Sequence, residues 1–300
     1  MHSTKNENPT SLVSPNALKC WILAARPKTL IAGISPAVIG SAIAMQHGWC
    51  SPWIFLLCFT FSVSIQIGTN WANDYFDYVK GADTASRKGP ARAVQSGWIS
   101  PMVMRNAAVY AFLFAALSAT PLLMRIGFSF IPLMLLCIVC GILYTGGKKP
   151  LGYLGLGEIL VLIFYGPVAT CCTAYAHLLF LPPETWVASL APGLLSCAIL
   201  CINNLRDAVE DRKAGKMTLV ARFGERFGQW EYLFLLLGVA FVPLFLSDNQ
   251  PLYLLLFLLF PLAKKSVQIV FQRPEEIHFA FAQTVRLLIL YTALYAILSV

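Results

Sequence analysis

Two short groups of acidic and amide side chains stand out by residue type and spacing. Each group places one asparagine and two aspartates three or four residues apart. The members are Asn70, Asp74 and Asp77 in the first group and Asn203, Asp207 and Asp211 in the second. Residues at this spacing share one face of an α-helix. Each group therefore predicts a helical stripe that presents an amide and two carboxylates together.

Such stripes indicate a particular chemistry, because carboxylates held close together repel each other unless a cation lies between them. Magnesium is typically held by one or two carboxylates together with the phosphates of a substrate. Basic residues follow both groups, and the candidates for phosphate contact are Lys80, Arg92, Arg206 and Lys216. The pattern predicts a diphosphate site with two Mg²⁺ ions. The alternatives are ordinary salt bridges on a solvated face, and basic residues placed there by membrane topology alone.

The composition identifies the kind of fold that must position these groups. Of the 300 residues, 58% are hydrophobic and only 12% are charged, which argues against a soluble core and against a disordered chain. The net charge of +8 is spread between apolar runs, so nucleic-acid binding is not expected. A polytopic, all-α bundle in a lipid bilayer remains.

Apolar runs long enough to cross a bilayer number nine, of which the eighth contains Lys264 and Lys265 and the ninth contains Arg286. They cover residues 29–46, 52–73, 106–124, 128–147, 159–178, 185–205, 232–247, 250–269 and 278–299. Both acidic groups fall at the ends of predicted spans, the second and the sixth. The shared Asn-x-x-x-Asp spacing suggests two similar four-helix halves plus one further helix.

Positive charge sets the expected orientation, since cytoplasmic loops carry the Lys and Arg excess. Twenty of the 22 basic residues fall on one side of the predicted map. We expect a cytoplasmic amino terminus without a cleaved leader, an external carboxyl terminus, and both acidic groups on the cytoplasmic side. Residues 1–20 are predicted to be a polar cytoplasmic segment, and residues 21–300 a single transmembrane domain.

Three other features have more than one interpretation. Cys137 and Cys140 have a redox or metal spacing, but their apolar surroundings favour packing. Glu158 either sits in the first turn of a helix, stabilised by its dipole, or faces a cavity. Arg286 lies inside the ninth predicted span and must face the bundle interior or extend towards the interface.

The motifs around the two acidic groups resemble those of the UbiA superfamily of intramembrane prenyltransferases. The resemblance covers nearly the whole chain and is greatest to the branch that acts on 1,4-dihydroxy-2-naphthoate. The matching stretches are Ala25-Arg26-Pro27-Lys28-Thr29, Asn73-Asp74-Tyr75-x-Asp77, Lys80-Gly81-x-Asp83, Gly89-Pro90-x-Arg92-x-x-Gln95-x-Gly97, Gly152-Tyr153-x-Gly155-Leu156-Gly157-Glu158 and Asn203-Asn204-x-Arg206-Asp207-x-x-x-Asp211-Arg212-x-x-Gly215-Lys216-x-Thr218-Leu219.

The resemblance implies transfer of a polyprenyl chain from polyprenyl diphosphate to a ring carbon of 1,4-dihydroxy-2-naphthoate, with loss of the carboxylate to give demethylmenaquinone. It also implies a bacterial inner-membrane protein with its active site facing the cytoplasm. The alternative within this class is 4-hydroxybenzoate or another aromatic acceptor. A transporter is the alternative from a different class, disfavoured because the acidic residues lie at span ends on one side.

The resemblance also implies roles for individual residues. Each acidic group binds one Mg²⁺, and the expected catalytic residues are Asp74, Asp77, Asp83, Asp207 and Asp211. Two roles stay open for Asp83, which are metal binding through water and deprotonation of the acceptor hydroxyl. The expected substrate contacts are Asn70, Asn73, Lys80, Arg92, Tyr144, Asn203, Arg206 and Lys216. The aromatic faces expected to stabilise an allylic cation are those of Tyr75, Tyr78 and Tyr144.

Overall fold

The computed structural model describes residues 17–82, 89–248 and 250–300, and these residues form helices and turns without a β-strand. The α-helices are α1 Ala17–Ala25, α2 Pro27–Gln46, α3 Pro52–Val79, α4 Pro101–Ile126, α5 Ile131–Leu143, α6 Gly157–Ile163, α7 Ala169–Leu178, α8 Glu184–Lys213, α9 Leu219–Phe223, α10 Glu225–Leu246, α11 Phe260–Gln272 and α12 Ile277–Leu298. Short 3₁₀ segments precede α5, α6, α11 and α12, and a π-helical turn, Phe164–Val168, joins α6 to α7.

Eight continuous helical segments in the described part of the chain are long and apolar enough to cross a bilayer. A further apolar helix, Phe128–Leu143, is shorter than these eight. The predicted all-α membrane bundle is therefore confirmed, and the chain is an integral membrane protein. The count of nine spans, the orientation of the termini and the single domain over 21–300 stay predictions.

The two helices that carry the acidic groups extend beyond the apolar runs that predicted them. The predicted spans end at residues 73 and 205, whereas α3 continues to Val79 and α8 to Lys213. The polar residues after each run continue the helix because no glycine or proline interrupts them before Gly81 and Gly215. All four aspartates consequently sit inside a helix.

Both helices end with the same hydrogen-bonding motif. Gly81 and Gly215 adopt left-handed conformations, with φ of 66° and 73°. The amide that follows each glycine donates to an aspartate carbonyl oxygen. Ala82 donates to Asp77 at 2.9 Å, and Lys216 donates to Asp211 at 2.8 Å. A glycine at this position satisfies carbonyls that the helix end would otherwise leave unpaired. The motif places the second aspartate of each group in the last helical turn.

The main hydrophobic core lies among α2, α8, α10 and α12. Helix α3 packs mainly on α4, and α8 packs mainly on α10, so each acid-bearing helix lies against another long helix. Close approach of the α6–α7 segment to α8 depends on glycine, because a Cβ on Gly166 would lie 3.0 Å from the Ser189 carbonyl oxygen. The core thus holds α3, α8 and the intervening segment in fixed positions.

Candidate functional site

The first acidic group is buried at the end of α3. Asn70, Asn73, Asp74 and Asp77 are each less than 8% exposed. Asp74 accepts hydrogen bonds from two backbone amides, that of Ala93 at 3.0 Å and that of Val94 at 3.2 Å. Backbone N–H groups are good donors to a carboxylate. The segment that contains Ala93 and Val94 therefore packs against the end of α3 and fixes Asp74.

Asp77 receives two side-chain donors from different parts of the chain. Nη2 of Arg92 lies 3.3 Å from Oδ2 of Asp77, and the Tyr153 hydroxyl donates to Oδ1 at 2.9 Å. Arg92 comes from the loop after α3, and Tyr153 from the 3₁₀ turn Leu151–Leu154 before α6. The carboxylate therefore connects two loops that are distant in sequence.

The two asparagines of α3 are also held in place. Nδ2 of Asn70 donates to the carbonyl oxygen of Ala25 at 2.9 Å, and the Thr145 hydroxyl donates to Oδ1 of Asn73 at 2.6 Å. These bonds join α3 to the end of α1 and to the residues that follow α5. The amide side chains are thus oriented by the ends of two other helices.

The second acidic group lies at the end of α8 and has nearby partners. Arg206 donates to its neighbour Asp207 with two bonds of 2.7 and 2.8 Å, and Lys216 lies 3.2 Å from Oδ1 of Asp211. Both aspartates are 8% exposed, while Asn203 is less buried and lines the central cavity. The predicted stripe is present on α8, and each carboxylate has a basic partner.

Glu158 and Asn204 form a buried contact between α6 and α8. Nδ2 of Asn204 donates to Oε1 of Glu158 at 2.6 Å, and the two residues are 4% and 7% exposed. Of the two positions that the sequence left open, Glu158 is in the first turn of α6. Its side chain does not line the cavity and instead contacts α8. Asn204 was not expected to have a role, since only Asn203 matches the spacing of the first group.

The two acidic groups meet through the segment between α5 and α6. Tyr153, which binds Asp77 through its hydroxyl, accepts at its carbonyl oxygen a bond of 3.0 Å from the amide of Met217. Tyr144 lies within electrostatic range of both Asp77 and Asp211. Two glycines make room for its ring, since a Cβ on Gly157 would lie 2.9 Å from the Tyr144 hydroxyl. The glycine-rich motif therefore brings the helix ends together around Tyr144.

A cavity of about 300 Å³ opens beside both helix ends. Arg26 and four predicted site residues line its polar end, namely Asn70, Asn73, Tyr144 and Asn203. The rest of the wall is largely apolar and reaches Cys58 on α3 and Ile126 on α4, at the opposite ends of those helices. The cavity can therefore hold a polar head beside the acidic groups and an apolar chain across the membrane.

Arg26 was not expected to take part in the site. It occupies a left-handed conformation, with φ of 56°, between α1 and Pro27. Its guanidinium acts electrostatically on Asp74. Strained backbone of this kind in a non-glycine residue is concentrated at functional sites. The only sequence signal was the Ala-Arg-Pro run of the resemblance.

Three other residues expected near the site, Lys80, Tyr75 and Tyr78, lie outside the cavity wall. Lys80 does not line the cavity, because its ammonium donates to the carbonyl oxygen of Thr145 and lies 5.1 Å from the centre of the Tyr153 ring. Partial burial lowers the pKa of Lys80 below its ordinary value, and the charge of Asp77 acts in the opposite direction. Tyr75 and Tyr78 also lie outside the cavity wall, so of the three expected aromatic faces only Tyr144 reaches it.

The remaining features can also be placed. Arg286 is exposed on the outer face of α12, which excludes the bundle interior. Cys137 and Cys140 are free thiols that line the cavity. Asp83 falls within residues 83–88, outside the described part of the chain.

The side chains of the two acidic groups are of the types that hold magnesium in proteins. Within residues 17–82, 89–248 and 250–300, no three His, Cys, Asp or Glu side chains converge on a possible metal position. Magnesium keeps waters and binds through one or two carboxylates plus substrate phosphates. The carboxylates on the two helix ends, together with the amides of Asn70 and Asn203 that line the polar end of the cavity, fit that mode of binding.

Known proteins resemble this chain over most of its length. A 1,4-dihydroxy-2-naphthoate octaprenyltransferase of Mycobacterium tuberculosis is 38% identical over 205 residues, covering 68% of this chain and 70% of the relative. The Haemophilus influenzae protein of the same name is 38% identical over 234 residues, covering 74% of this chain and 75% of the relative.

Solved structures share the fold at low sequence identity. A UbiA homolog from Aeropyrum pernix superposes with a TM-score of 0.69 at 15% identity, covering 90% of this chain and 97% of that one. A UbiA homolog from Archaeoglobus fulgidus, solved with GPP and Mg²⁺, gives 0.63 at 14% identity, covering 91% and 99%. The model of the UbiA prenyltransferase family matches residues 33–296. The chain therefore belongs to the UbiA prenyltransferase family.

Proposed function

We propose that this protein transfers a polyprenyl chain from polyprenyl diphosphate to a ring carbon of 1,4-dihydroxy-2-naphthoate, with loss of the ring carboxylate as CO₂ and release of diphosphate, to give the hydroquinone form of demethylmenaquinone. The observation that carries the proposal is the meeting of two acidic, amide-bearing helix ends beside one largely apolar cavity. The relatives named 1,4-dihydroxy-2-naphthoate octaprenyltransferase support both the donor and the acceptor.

The basic residues of the site would bind the diphosphate. Arg92, Arg206 and Lys216 each form an ion pair with an aspartate of the two groups. A diphosphate at the polar end of the cavity would therefore find positive charge within one side-chain length of the carboxylates. Lys80 is the weaker candidate, since its ammonium is bonded to the Thr145 carbonyl.

We assign one Mg²⁺ to Asn70, Asp74 and Asp77 and a second to Asn203, Asp207 and Asp211. When bound, the metal neutralises the charge that develops on a diphosphate leaving group. The Archaeoglobus fulgidus homolog was solved with Mg²⁺ and GPP, which supports metal dependence in a protein of this fold. Asp83 keeps the two roles that the resemblance left open.

The protein's own contribution after ionisation is to protect and orient an allylic cation. The largely apolar wall excludes water that would quench such a cation. Tyr144 lines the cavity and lies in range of both acidic groups, so its ring can stabilise the cation where the diphosphate leaves. The chain would work in a bacterial inner membrane with this site facing the cytoplasm, because the basic loops belong on that side.

The test is transfer by the purified protein of octaprenyl diphosphate to ring-labelled 1,4-dihydroxy-2-naphthoate. We expect a prenylated product, one CO₂ released per product, and loss of both in EDTA with recovery on adding Mg²⁺. Unchanged turnover in EDTA would disprove the metal assignment. Preference for 4-hydroxybenzoate, with the carboxylate retained, would move the protein to the alternative acceptor class. No transfer to any aromatic acid would leave transport as the function to examine.

A further inference from the structure

One polar pair lies in the cavity away from the acidic groups. Gln66 on α3 and Tyr165 on the π-helical turn both line the cavity, and Gln66 is only 8% exposed. The Tyr165 hydroxyl donates to Oε1 of Gln66. Neither residue belongs to the motifs described above. An amide in a largely apolar wall is costly unless something polar binds it.

The Tyr165 bond fixes which end of the Gln66 amide faces the cavity. A phenolic hydroxyl that donates to Oε1 leaves Nε2, with its two N–H donors, on the other side of the amide. Among the described residues, Nε2 of Gln66 has no hydrogen-bond partner. The Gln66 side chain is more than nine-tenths buried. Its Nε2 group is therefore a hydrogen-bond donor at the cavity wall without an acceptor among the described residues.

The backbone around Tyr165 is arranged to bring it there. Gly166 has φ of −105° and ψ of −106°, and Pro167 follows it. A π-helical turn between two α-helical segments often occurs at a functional site. Phe164, Tyr165 and Val168 from this one turn all line the cavity. The irregular turn therefore directs several side chains to the same face.

The position of Gln66 selects the part of a substrate that it would meet. It lies four residues before Asn70 on α3, or about 6 Å along the helix axis. A polyprenyl tail has no group that an amide N–H could bind. An aromatic acceptor whose reacting carbon lies beside the acidic groups has substituents that reach towards Gln66.

We propose that Gln66 donates a hydrogen bond to a ring oxygen of the aromatic acceptor, on the side away from the acidic groups, and that Tyr165 is a positioning residue for Gln66. This inference rests on the proposed prenyl transfer to an aromatic acid. For 1,4-dihydroxy-2-naphthoate, the oxygen is the hydroxyl farthest from the carbon that loses its carboxylate. Gln66 then helps to determine acceptor specificity.

The experiment measures KM and kcat for each substrate separately in Gln66→Leu and Tyr165→Phe. Loss of one buried hydrogen bond corresponds to about a tenfold effect, so we expect Gln66→Leu to raise the acceptor KM about tenfold. Tyr165→Phe should raise it less, because Nε2 is retained but no longer oriented. The KM for octaprenyl diphosphate should stay within about twofold in both variants. Ser64→Ala, on the same helix but outside the cavity wall, is the control.

A second acceptor separates recognition from a merely structural role. The wild type should prefer 1,4-dihydroxy-2-naphthoate over 1-hydroxy-2-naphthoate, which lacks the distal hydroxyl, and Gln66→Leu should abolish that preference. If Gln66→Leu is not recovered folded, Gln66→Met, which has a similar length and no N–H donor, gives the same comparison. Retention of the preference in a folded, active variant would overturn the inference. Failure of the wild type with every aromatic acid would instead overturn the proposed function.

Discussion

The two acidic helix ends have similar residues but different partners. At the end of α3, Asp74 is held by two backbone amides from a loop about 20 residues away, and Asp77 by Arg92 and Tyr153. At the end of α8, Asp207 accepts bonds from the adjacent Arg206, and Asp211 contacts Lys216, five residues ahead. Among these hydrogen bonds, those to the first group come from distant segments, and those to the second come from neighbours in sequence.

This difference predicts that the two groups contribute differently to the stability of the fold. The backbone N–H bonds to Asp74 tie a distant segment to α3, whereas the bonds between Arg206 and Asp207 join two residues of the same helix. The first group should therefore contribute to both the fold and turnover. The second group should contribute mainly to turnover.

The largest expected effect comes from Asp74→Asn and Asp207→Asn. Each removes a charge proposed to bind metal, so we expect turnover to fall at least about 100-fold in both. Asn at position 74 keeps only one acceptor for the two amides of Ala93 and Val94, and should lose about 2 kcal/mol of unfolding free energy. Asn at position 207 keeps an acceptor oxygen for the adjacent Arg206 and should lose less, about 1 kcal/mol. Prenyl transfer and thermal unfolding in detergent measure the two effects.

Asp248→Asn is the matched control for that pair, because Asp248 is exposed and follows α10, away from both groups. It should change neither activity nor unfolding temperature. Equal losses of stability at positions 74 and 207 would remove the contrast between tertiary and local construction. Normal turnover in either variant would remove its aspartate from the site.

A smaller effect is expected from Tyr153→Phe, which deletes only the hydroxyl that binds Asp77. The Arg92 contact stays, so Asp77 keeps one partner but is less well oriented. We expect about a tenfold fall in kcat/KM, from the loss of one hydrogen bond to a charged group. Tyr110→Phe is the control, since Tyr110 is exposed on α4. An unchanged kcat/KM in Tyr153→Phe would show that this tertiary contact does not organise the first group.

The smallest effect concerns pH and Lys80. Partial burial lowers its pKa, so the ammonium loses its proton at a lower pH than an ordinary lysine does. The folded state then binds fewer protons than the unfolded state, and stability from this residue rises with pH through the interval between the two pKa values. Competitive acetylation from pH 7 to 10.5 should label Lys80 faster than a lysine in an unstructured peptide. Equal or slower labelling would contradict the lowered pKa.

The sequence was sufficient for the general plan of the helices. Apolar runs predicted the membrane bundle, because a bilayer-spanning helix needs a long apolar stretch whatever its neighbours are. The ends of α3 and α8 were predicted too early, since hydrophobicity marks the membrane-buried part rather than the helix itself. The left-handed glycines at positions 81 and 215 were better markers of the true ends.

Part of the candidate site was also predicted correctly from the sequence. The shared spacing identified the buried aspartates of both helices, and it selected Asn70 and Asn203, which line the cavity. It missed Tyr153, Arg26 and Asn204, because their partners are distant in sequence and no local periodicity marks them. Tyr75 and Tyr78, expected to stabilise an allylic cation, do not line the cavity, since proximity along α3 does not determine which side of the helix a ring occupies.

Helical periodicity and hydrophobicity are local properties, so the sequence by itself determined an all-α membrane bundle with two acidic helical stripes. Only the tertiary structure decided that both stripes lie beside one cavity, which loop amides and which tyrosine hold the first stripe, and that Gln66 presents a donor within the apolar wall. These features depend on contacts between segments far apart in the chain. Such contacts are set by how the helices pack, and no single segment encodes them.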